Sequence, residues 1–439
     1  MVKELETINI AVVAPTGAGK TALISTVCDY IKANSNKAKG YTLEIENSAA
    51  QELNGFTKAV SAQLAGQNMS FKSALIKPTK ECQEYEFSMN FSDKTTGLSI
   101  KQPFKIMDIP GAFINNRLDY ENDSEYQRFI THLDTSRILW IPVDTPILME
   151  CETPDEKSLS DEIRCTTNLK DFCVEWAQFA AENKQLDFCN FVLLKCEKYF
   201  SHDSQNAFNG CKKRFDDSYG DIIDAMKSQN KEDKFACVAV ETIGAAKANT
   251  VKWTSNNLEV EYIATGLHRK IQGADCLLHD AMLVAINNVN SEIDIQKAAK
   301  EDEKSEYKAA LKEIIKEQKQ RIREMQAREQ RLADETDKLR GYERQVQDAG
   351  PLDRLFDFFG FGSLPELREK IRNLQAHRNS LREEIKSAQA RLSDLQDDAE
   401  TTKENISVVN QEIAALDKMK TWFANMSQTN ANLKYYRSL

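Results

Sequence analysis

The stretch AVVAPTGAGKTALI, residues 11–24, decides the fold of the first part of the chain. An apolar run is interrupted by a proline and two glycines, places Lys20 beside Thr21, and then becomes apolar again. A buried strand, a tight turn of small residues and the first turns of a helix produce this order. The segment therefore predicts a strand, a loop and a helix, with the polar chemistry in the loop.

Residues 14–21 fit the phosphate-binding pattern GxxxxGK(S/T), with Ala14 in place of the first glycine. Small residues let backbone N–H groups converge on a phosphate, and the N-terminus of the following helix adds donors and a positive dipole end. In such loops the lysine neutralises phosphate charge and the hydroxyl joins a Mg²⁺ shell. The predicted nucleotide-binding residues of the loop are Pro15, Thr16, Gly17, Ala18, Gly19, Lys20, Thr21 and Ala22.

Short β-rich runs alternate with helical stretches up to about residue 290. This alternation predicts an α/β domain over residues 1–290, with a doubly wound, mostly parallel sheet of the P-loop NTPase type. The long connection after the first helix is expected to contain its own helix, over 47–66. The predicted strands are 7–14, 85–91, 103–109, 137–144, 188–195 and 235–242.

The strand predicted over 103–109 ends in Asp108-Ile-Pro-Gly111, a DxxG motif that follows the phosphate-binding loop along the chain. With this motif residues 7–290 resemble the P-loop GTPases of the TRAFAC class, of the dynamin-like or large bacterial type. The resemblance implies that Asp108 reaches Mg²⁺ through water and that the Gly111 N–H senses the γ-phosphate. Loss of that phosphate would release both loops, which is the basis of a switch.

In the same family a threonine before the second strand closes over Mg²⁺, and Thr79 stands just upstream of the strand at 85–91. The resemblance thus implies a metal site of Thr21, Thr79 and Asp108. The residues it assigns to catalysis are Lys20, Thr79, Asp108 and Gly111.

The family's guanine-recognition motif, NKxD, corresponds here to Leu194-Lys195-Cys196-Glu197. Lys195 is expected to cover the purine ring, and Glu197 to accept from the guanine N1 and N2 donors as an aspartate would. Leu194 cannot make the hydrogen bonds of the asparagine, so guanine and adenine remain alternatives, with guanine preferred. Residues 241–246, ETIGAA, stand where the family's base-contacting loop would be.

Ras-like enzymes have a glutamine directly after DxxG that orients the attacking water, whereas Ala112 and Phe113 follow here. Hydrolysis is therefore expected to be slow unless a second copy or a partner supplies the missing group. Arg117 is one candidate, in cis or across a dimer. A solvated loop charge is the alternative interpretation of this arginine.

From about residue 291 the composition changes, and 27 Lys/Arg face 28 Asp/Glu with few glycines. Apolar residues recur at alternating steps of four and three over 365–423, which is typical of a coiled coil, and a looser pattern starts with Leu311, Ile315 and Ile322. The glycines and prolines within 350–367 predict a chain reversal. Residues 291–439 are therefore expected to form an all-α antiparallel coiled-coil hairpin.

The reversal carries a cluster of large apolar side chains, namely Leu352, Leu355, Phe356, Phe358, Phe359, Phe361 and Leu364. This cluster has three possible roles. It could form a small cap over the hairpin end, a docking site for a partner protein, or a wedge into a lipid surface. A membrane contact is possible but not favoured, because no basic cluster adjoins the tip. The last residues carry the aromatic side chains Trp422, Phe423, Tyr435 and Tyr436, which are expected to return to the first domain.

The 439 residues have a formal net charge of −10, and residues 1–290 carry most of it with 31 Lys/Arg against 40 Asp/Glu. Nucleic-acid binding is not indicated, since no basic field is present. The ten cysteines lack a CxxC pair, the five histidines lack ligand spacing, and a strand near residue 7 leaves no signal peptide. These features predict a cytoplasmic protein with reduced thiols.

These patterns together predict a slow GTPase, with GTP or GDP as ligand and Mg²⁺ as cofactor. The coiled coil is expected to pass the nucleotide state to a protein partner or to a homo-oligomer. One alternative is a nucleotide-locked scaffold, in which GTP is a structural ligand with negligible turnover and the coiled coil is the functional part. Another is an ATPase of the SMC or Rad50 kind, which requires a second head segment after its coiled coil.

Overall fold

A computed structural model describes residues 2–35, 41–45, 53–66, 70–72, 79–92, 99–183, 187–196, 198–199, 208–229, 234–244, 246–254, 258–360, 363–427 and 435–439. The chain divides into two compact units, residues 1–293 with 419–439, and residues 294–418. The strands are β1 (Val2–Glu4), β2 (Ile8–Val12), β3 (Tyr41–Ile45), β4 (Ser70–Lys72), β5 (Gln83–Ser92), β6 (Ser99–Asp108), β7 (Ser136–Asp144), β8 (Phe188–Leu194), β9 (Lys234–Ala239), β10 (Ala246–Trp253), β11 (Leu258–Ala264) and β12 (Tyr436–Ser438). The helices are α1 (Lys20–Asn34), α2 (Asn54–Ala65), α3 (Ala112–Asn115), α4 (Ser124–Asp134), α5 (Thr145–Met149), α6 (Pro154–Arg164), α7 (Thr166–Asn183), α8 (Asn209–Gln229), α9 (Ala274–Gln347), α10 (Pro351–Phe358) and α11 (Leu364–Ser427), with a 3₁₀ turn at Arg117–Asp119.

A nine-stranded sheet organises the first unit. Its order is β12-β9-β8-β7-β2-β6-β5-β3, and β1 pairs with β6. The five strands from β9 to β6 are parallel, while β5, β3 and β12 run antiparallel to their neighbours. Every residue of β8 is buried, as expected of a central strand covered on both faces. The prediction of a mostly parallel α/β sheet is confirmed, and each of the six predicted strands is present.

The antiparallel pair β5–β6 brings the start of one strand against the end of the other. Its register begins with Gln83 opposite Asp108 and continues to Ser92 opposite Ser99. Thr79 precedes β5, and Asp108 closes β6, so both residues lie at the same end of the pair. Because β2 is parallel to β6, the loop that follows β2 leaves the sheet at this end as well. The register of three strands therefore positions the candidate site.

A second, three-stranded antiparallel sheet has the order β10-β11-β4. Side chains of α2 pack with it in one apolar cluster, which includes Phe56, Val60, Leu64, Phe71, Leu258, Val260 and Tyr262. The helix predicted over 47–66 corresponds to α2, and residues 47–52 lie outside the described residues. None of the three strands was predicted, because β4 has three residues and β10 is mostly polar.

The second unit is an antiparallel helical hairpin of α9 and α11. Its interhelical contacts run in opposite directions along the chain, from Lys297–Asp417 (2.6 Å) and Lys300–Glu412 (2.8 Å) to Gln318–Leu395 (2.9 Å) and Arg328–Glu384 (3.3 Å). Apolar residues of α11 are buried at the predicted spacing, among them Leu381, Ile385, Leu395, Val409, Ile413 and Leu416. The predicted hairpin is confirmed. Among the helices that the structure describes, none is long and apolar enough to cross a membrane.

The looser apolar pattern of α9 lies on the covered side of the helix except at two positions. Ile315 and Ile322 are 37% and 41% exposed, whereas Leu311, Ile314 and Gln318 are partly covered. Further along the helix, Leu332 is partly covered and Leu339 is buried, as the pattern predicts. One residue further along a helix is about 100° further around its axis, so Ile315 and Ile322 miss the contact face. These two positions were wrong because a polar residue belongs to this face: Gln318 donates to a backbone carbonyl of α11.

The reversal contains the short helix α10. Four of the apolar side chains at this tip are 57–85% exposed, namely Leu352, Leu355, Phe358 and Phe359, and Leu364 is buried. Phe361 and the side chain of Phe356 lie outside the described part of the chain. The exposed four do not fold back over the hairpin, so the cap interpretation is wrong for them.

The C-terminal residues belong to the first unit, whereas the predicted division at residue 290 grouped them with the hairpin. Phe423 is fully buried, and its ring meets Phe91 edge-on with the centroids 5.3 Å apart. Strand β12 pairs with β9, and the Tyr435 hydroxyl donates to Gln272. A strand of three residues has no periodicity that a sequence could reveal.

Replacing Phe423 with alanine is expected to lower the free energy of unfolding of the first unit by about 3–5 kcal/mol, because it leaves a cavity beside Phe91. Phe358→Ala is the matched control, since this phenylalanine is 85% exposed, and it should change the value by less than about 0.5 kcal/mol. Unfolding monitored by the fluorescence of buried Trp140 and Trp176 measures both variants. Equal effects would contradict the packing of Phe423.

Candidate phosphate-binding and metal site

The loop between β2 and α1 and the first turn of α1, residues 15–22, have a backbone conformation that suits anion binding, and we call this segment the cradle. Gly17 and Gly19 have φ values of 83° and 101°, a left-handed conformation that side chains with a Cβ rarely adopt. No side chain among the described residues caps the first turn of α1, which begins at Lys20. The N–H groups of this turn therefore remain available to an anion. The structure thus keeps the predicted residues 15–22 together in one turn.

Lys20 is enclosed by its own loop. Its side chain is buried, and Nζ donates to the carbonyl oxygens of Ala14 (2.7 Å) and Pro15 (3.0 Å). Burial lowers the pKa of the ammonium to about 8, although the nearby Asp108 carboxylate opposes this. Two neutral carbonyls compensate a buried charge poorly. An anionic acceptor would therefore bind the Lys20 ammonium more strongly than they do.

Thr21, Thr79 and Asp108 converge although they are far apart in the sequence. The Thr21 hydroxyl donates to Asp108 Oδ2 at 2.6 Å, Thr79 donates to the same oxygen at 3.0 Å, and the two hydroxyl oxygens are 3.0 Å apart. The three residues predicted to bind metal are therefore brought together. All their ligand atoms are oxygens, which is the donor type that Mg²⁺ prefers.

The carboxylate of Asp108 has no exposed surface. Burial raises its pKa, while the Lys20 charge and the hydrogen bonds from Thr21 and Thr79 lower it. Its second oxygen, Oδ1, is buried without a side-chain hydrogen-bond partner among the described residues. An oxygen of this kind has capacity for one further ligand, such as a metal-bound water.

Gly111 lies directly against the cradle. A Cβ added at this position would be 2.3 Å from the Thr16 backbone nitrogen and 2.4 Å from the Thr16 Cα. Only glycine allows this approach, because real Cβ atoms do not come so close to backbone. The DxxG motif and the phosphate-binding loop therefore touch at Thr16.

Ala112 and Phe113 follow Gly111, where Ras-like enzymes have a glutamine. Phe113 is buried among the rings of Tyr120, Tyr126 and Phe129. Sequence reasoning missed Asn115, whose Oδ1 accepts from the Thr16 N–H at 3.1 Å. A side chain that bonds to a backbone amide leaves no pattern in a sequence.

Arg117 is held away from the cradle by α7. Its guanidinium pairs with Glu175 at 2.6 Å and lies 4.8 Å from the Phe172 ring centroid. The side chain thus has structural partners within its own domain. It is neither a free loop charge nor a group placed among Lys20, Thr21 and Asp108.

Lys195 lies beside the cradle. Its Nζ is 3.4 Å from the Gly17 carbonyl oxygen and pairs with Asp144. Asp144 ends β7, and sequence reasoning missed it, although a polar residue closing a buried strand is a usable signal. Glu197, the other predicted base contact, lies outside the described residues.

The loop after β9 is anchored from one side by a buried arginine. Arg269 donates to the Thr242 carbonyl at 2.6 Å, pairs with Asp29 of α1 and donates to Thr26. Arg269 therefore links the first helix to this loop. Arg269 stands outside every motif that the sequence offered, so it was not predicted.

Residues 6–106 match a family model described as Nephrocystin 3, N-terminal. The match covers the phosphate-binding loop and Thr79, and it ends just before Asp108. No curated protein matches the chain. The similarity thus extends from just before β2 to near the end of β6 and covers less than a quarter of the chain.

Gly111→Ala is expected to destabilise the first unit by about 1–3 kcal/mol, because the new methyl group must displace the Thr16 backbone. Gly55→Ala is the matched control, since nothing lies within 4 Å of its added Cβ, and it should be neutral or stabilising. Thermal unfolding gives the stability, and amide exchange over residues 12–22 reports on the cradle. Unchanged exchange in the Gly111 variant would contradict the close contact.

Proposed function

We propose that this chain is a GTP-binding switch protein that hydrolyses GTP slowly and passes its nucleotide state to the helical hairpin. The observation that carries the proposal is the cluster of Thr21, Thr79 and Asp108 beside the ammonium of Lys20. We propose that a protein partner or a second copy of the chain recognises whether GTP or GDP is bound.

The triphosphate is proposed to lie in the cradle before α1. Its charge would attract the Lys20 ammonium more strongly than the carbonyls of Ala14 and Pro15 do now. The open N–H groups of the first turn and the helix dipole favour an anion at the same place. The left-handed glycines keep the loop narrow enough for its amides to converge.

Magnesium fits this site by its donor set and by the buried Oδ1 of Asp108. Thr21 and Thr79 would hold the ion through their hydroxyls, and Asp108 through its carboxylate. The described residues contain no cluster of three or more His, Cys, Asp or Glu side chains suited to a metal. A single carboxylate suits Mg²⁺, which takes its remaining ligands from phosphates and waters. When bound, it neutralises charge on the β- and γ-phosphates.

Guanine is the proposed base. Lys195 is close to Gly17 of the cradle, where its alkyl chain can cover a purine ring. Glu197, two residues further along, provides the carboxylate that accepts from guanine N1 and N2. Adenine has no pair of donors in that arrangement, so the carboxylate would disfavour ATP.

Slow turnover is proposed because the groups that usually speed hydrolysis are missing or engaged. Phe113 is buried, and Arg117 pairs with Glu175. The same two observations favour a second candidate, a nucleotide-locked scaffold. Phosphate release in a single turnover, measured at several protein concentrations, distinguishes a self-stimulated GTPase from such a scaffold.

The proposed base-contacting loop is connected to the start of α9 by contacts within the first unit. The Glu241 N–H donates to the Gln272 carbonyl at 3.1 Å, and Gln272 lies two residues before the start of α9. The Tyr435 hydroxyl donates to the side chain of the same glutamine. Movement of residues 241–244 on nucleotide exchange would therefore reach the first turn of α9 and the C-terminal strand.

Lys20→Ala is expected to weaken binding of GTP at least about 100-fold, because it removes the charge-assisted bonds to the phosphates. Lys32→Ala, at the far end of the same helix, is the control and should change the affinity less than about threefold. Calorimetric titration with a non-hydrolysable GTP analogue in Mg²⁺ buffer measures both. Equal affinity of the Lys20 variant and the wild type would exclude the cradle as the phosphate site.

The wild type is expected to prefer GTP over ATP by at least about tenfold, and Glu197→Ala should remove most of this preference. The reason is the loss of hydrogen bonds between a carboxylate and two guanine donors, worth about 1–3 kcal/mol. Competition between the two nucleotides for one fluorescent analogue measures the ratio. Glu152→Ala, an exposed acidic residue distant in the sequence, is the control. A preference for ATP would contradict a guanine site.

A further inference from the structure

Asn115 places a carboxamide at the cradle, on the side where the DxxG motif meets it. It ends the one-turn helix α3, four residues after Gly111. Its Oδ1 accepts from the Thr16 N–H at 3.1 Å. Since Gly111 touches the same Thr16, the carboxamide lies near Gly111, whose N–H the resemblance assigns to the γ-phosphate.

The backbone that carries Asn115 is held in place from two directions. The Asn115 N–H donates to the Gly111 carbonyl at 3.1 Å, which closes the turn of α3. Asn168 of α7 donates through Nδ2 to the carbonyls of Ile114 (2.8 Å) and Asn115 (3.2 Å). Groups fixed before a reaction begins need no reorganisation during it, which is the requirement for a catalytic hydrogen-bonding group.

The carboxamide keeps the capacity to bind a water molecule. Its oxygen has two lone pairs, of which Thr16 uses one, and its Nδ2 has two donor hydrogens. None of the described residues is shown to accept from this Nδ2, and the Asn115 side chain is solvent-exposed. One water can therefore be held by Oδ1 while Nδ2 donates to the water or to a phosphate oxygen.

From this geometry we infer that Asn115 orients the attacking water of GTP hydrolysis, in the role that the missing glutamine after Gly111 would have. The inference rests on the proposed function. The water oxygen forms a bond to the γ-phosphorus, and the bond from that phosphorus to the bridging oxygen of the β-phosphate breaks. The water proton passes to a phosphate oxygen, and the products are GDP and inorganic phosphate. The neutral carboxamide only positions the water, so no proton is assigned to Asn115.

The test uses the full chain with Asn115→Ala, and with Asn116→Ala as a matched control. Asn116 is the same residue type at the next position, is also exposed, and has no side-chain bond among the described residues. Single-turnover hydrolysis is measured with protein in excess over GTP. The Asn115 variant is expected to react about 100-fold more slowly, whereas the control should stay within about twofold of the wild type.

A second measurement separates a catalytic role from a structural one. Binding of GDP alone and of GDP with aluminium fluoride, which imitates the transferring phosphoryl group, is titrated for all three proteins. Asn115→Ala is expected to bind GDP normally and to lose affinity for the fluoride complex by about the factor lost in rate, because only the transition state uses the contact.

The outcomes are distinct. An unchanged rate overturns the inference, and so does a parallel loss of GDP affinity, which would make Asn115 a brace for the loop. Tighter nucleotide binding without a slower rate would identify Asn115 as an inhibitory contact and also overturns it. A wild type that binds GTP without hydrolysing it removes the role of Asn115 but leaves the nucleotide site. A wild type that binds no GTP overturns the proposed function together with the inference.

Discussion

The buried carboxylate of Asp108 is the interaction on which the rest of the site depends. A carboxylate without exposed surface is unfavourable unless charges and hydrogen bonds compensate it. Lys20 and Thr21 compensate it from the first turn of α1, and Thr79 does so from the segment before β5. Because these groups come from different elements, they surround the carboxylate only when β2, β5 and β6 are in register. The pairing of the sheet strands therefore assembles the site.

The hydrogen bonds that now compensate Asp108 and Lys20 are ones that a ligand could replace. Thr21 and Thr79 now satisfy one oxygen of Asp108, and Lys20 is satisfied by two neutral carbonyls. Under the proposed function a nucleotide offers each of these groups a stronger partner. Thr79 precedes β5 and lies outside the regular elements. Exchange of its hydrogen-bond partner would therefore change the local structure without breaking a strand pairing.

The sequence predicted those features that leave a pattern in consecutive residues. Buried strands such as β8 are continuous apolar runs, and the loop before Lys20 has its motif within eight residues. The convergence of Thr79 with Asp108 depends on strand register, which no local pattern contains. Asn115 and Arg269 act through backbone atoms, whose partners cannot be identified from residue types. Ile315 and Ile322 of α9 were mispredicted for a related reason, because Gln318 replaces an apolar residue at the contact.

The loop after β9 lies in close backbone contact with the residues that precede α9. A Cβ at Gly244 would lie 1.6 Å from the Lys270 carbonyl oxygen, and one at Gly273 would lie 1.9 Å from the Ala239 carbonyl oxygen. These two backbone contacts leave no space between the loop after β9 and the residues that precede α9. Packed backbone cannot absorb a displacement by compression, so it must pass the displacement on. Under the proposed function, a displacement of this loop therefore reaches the first turn of α9, which starts one residue after Gly273.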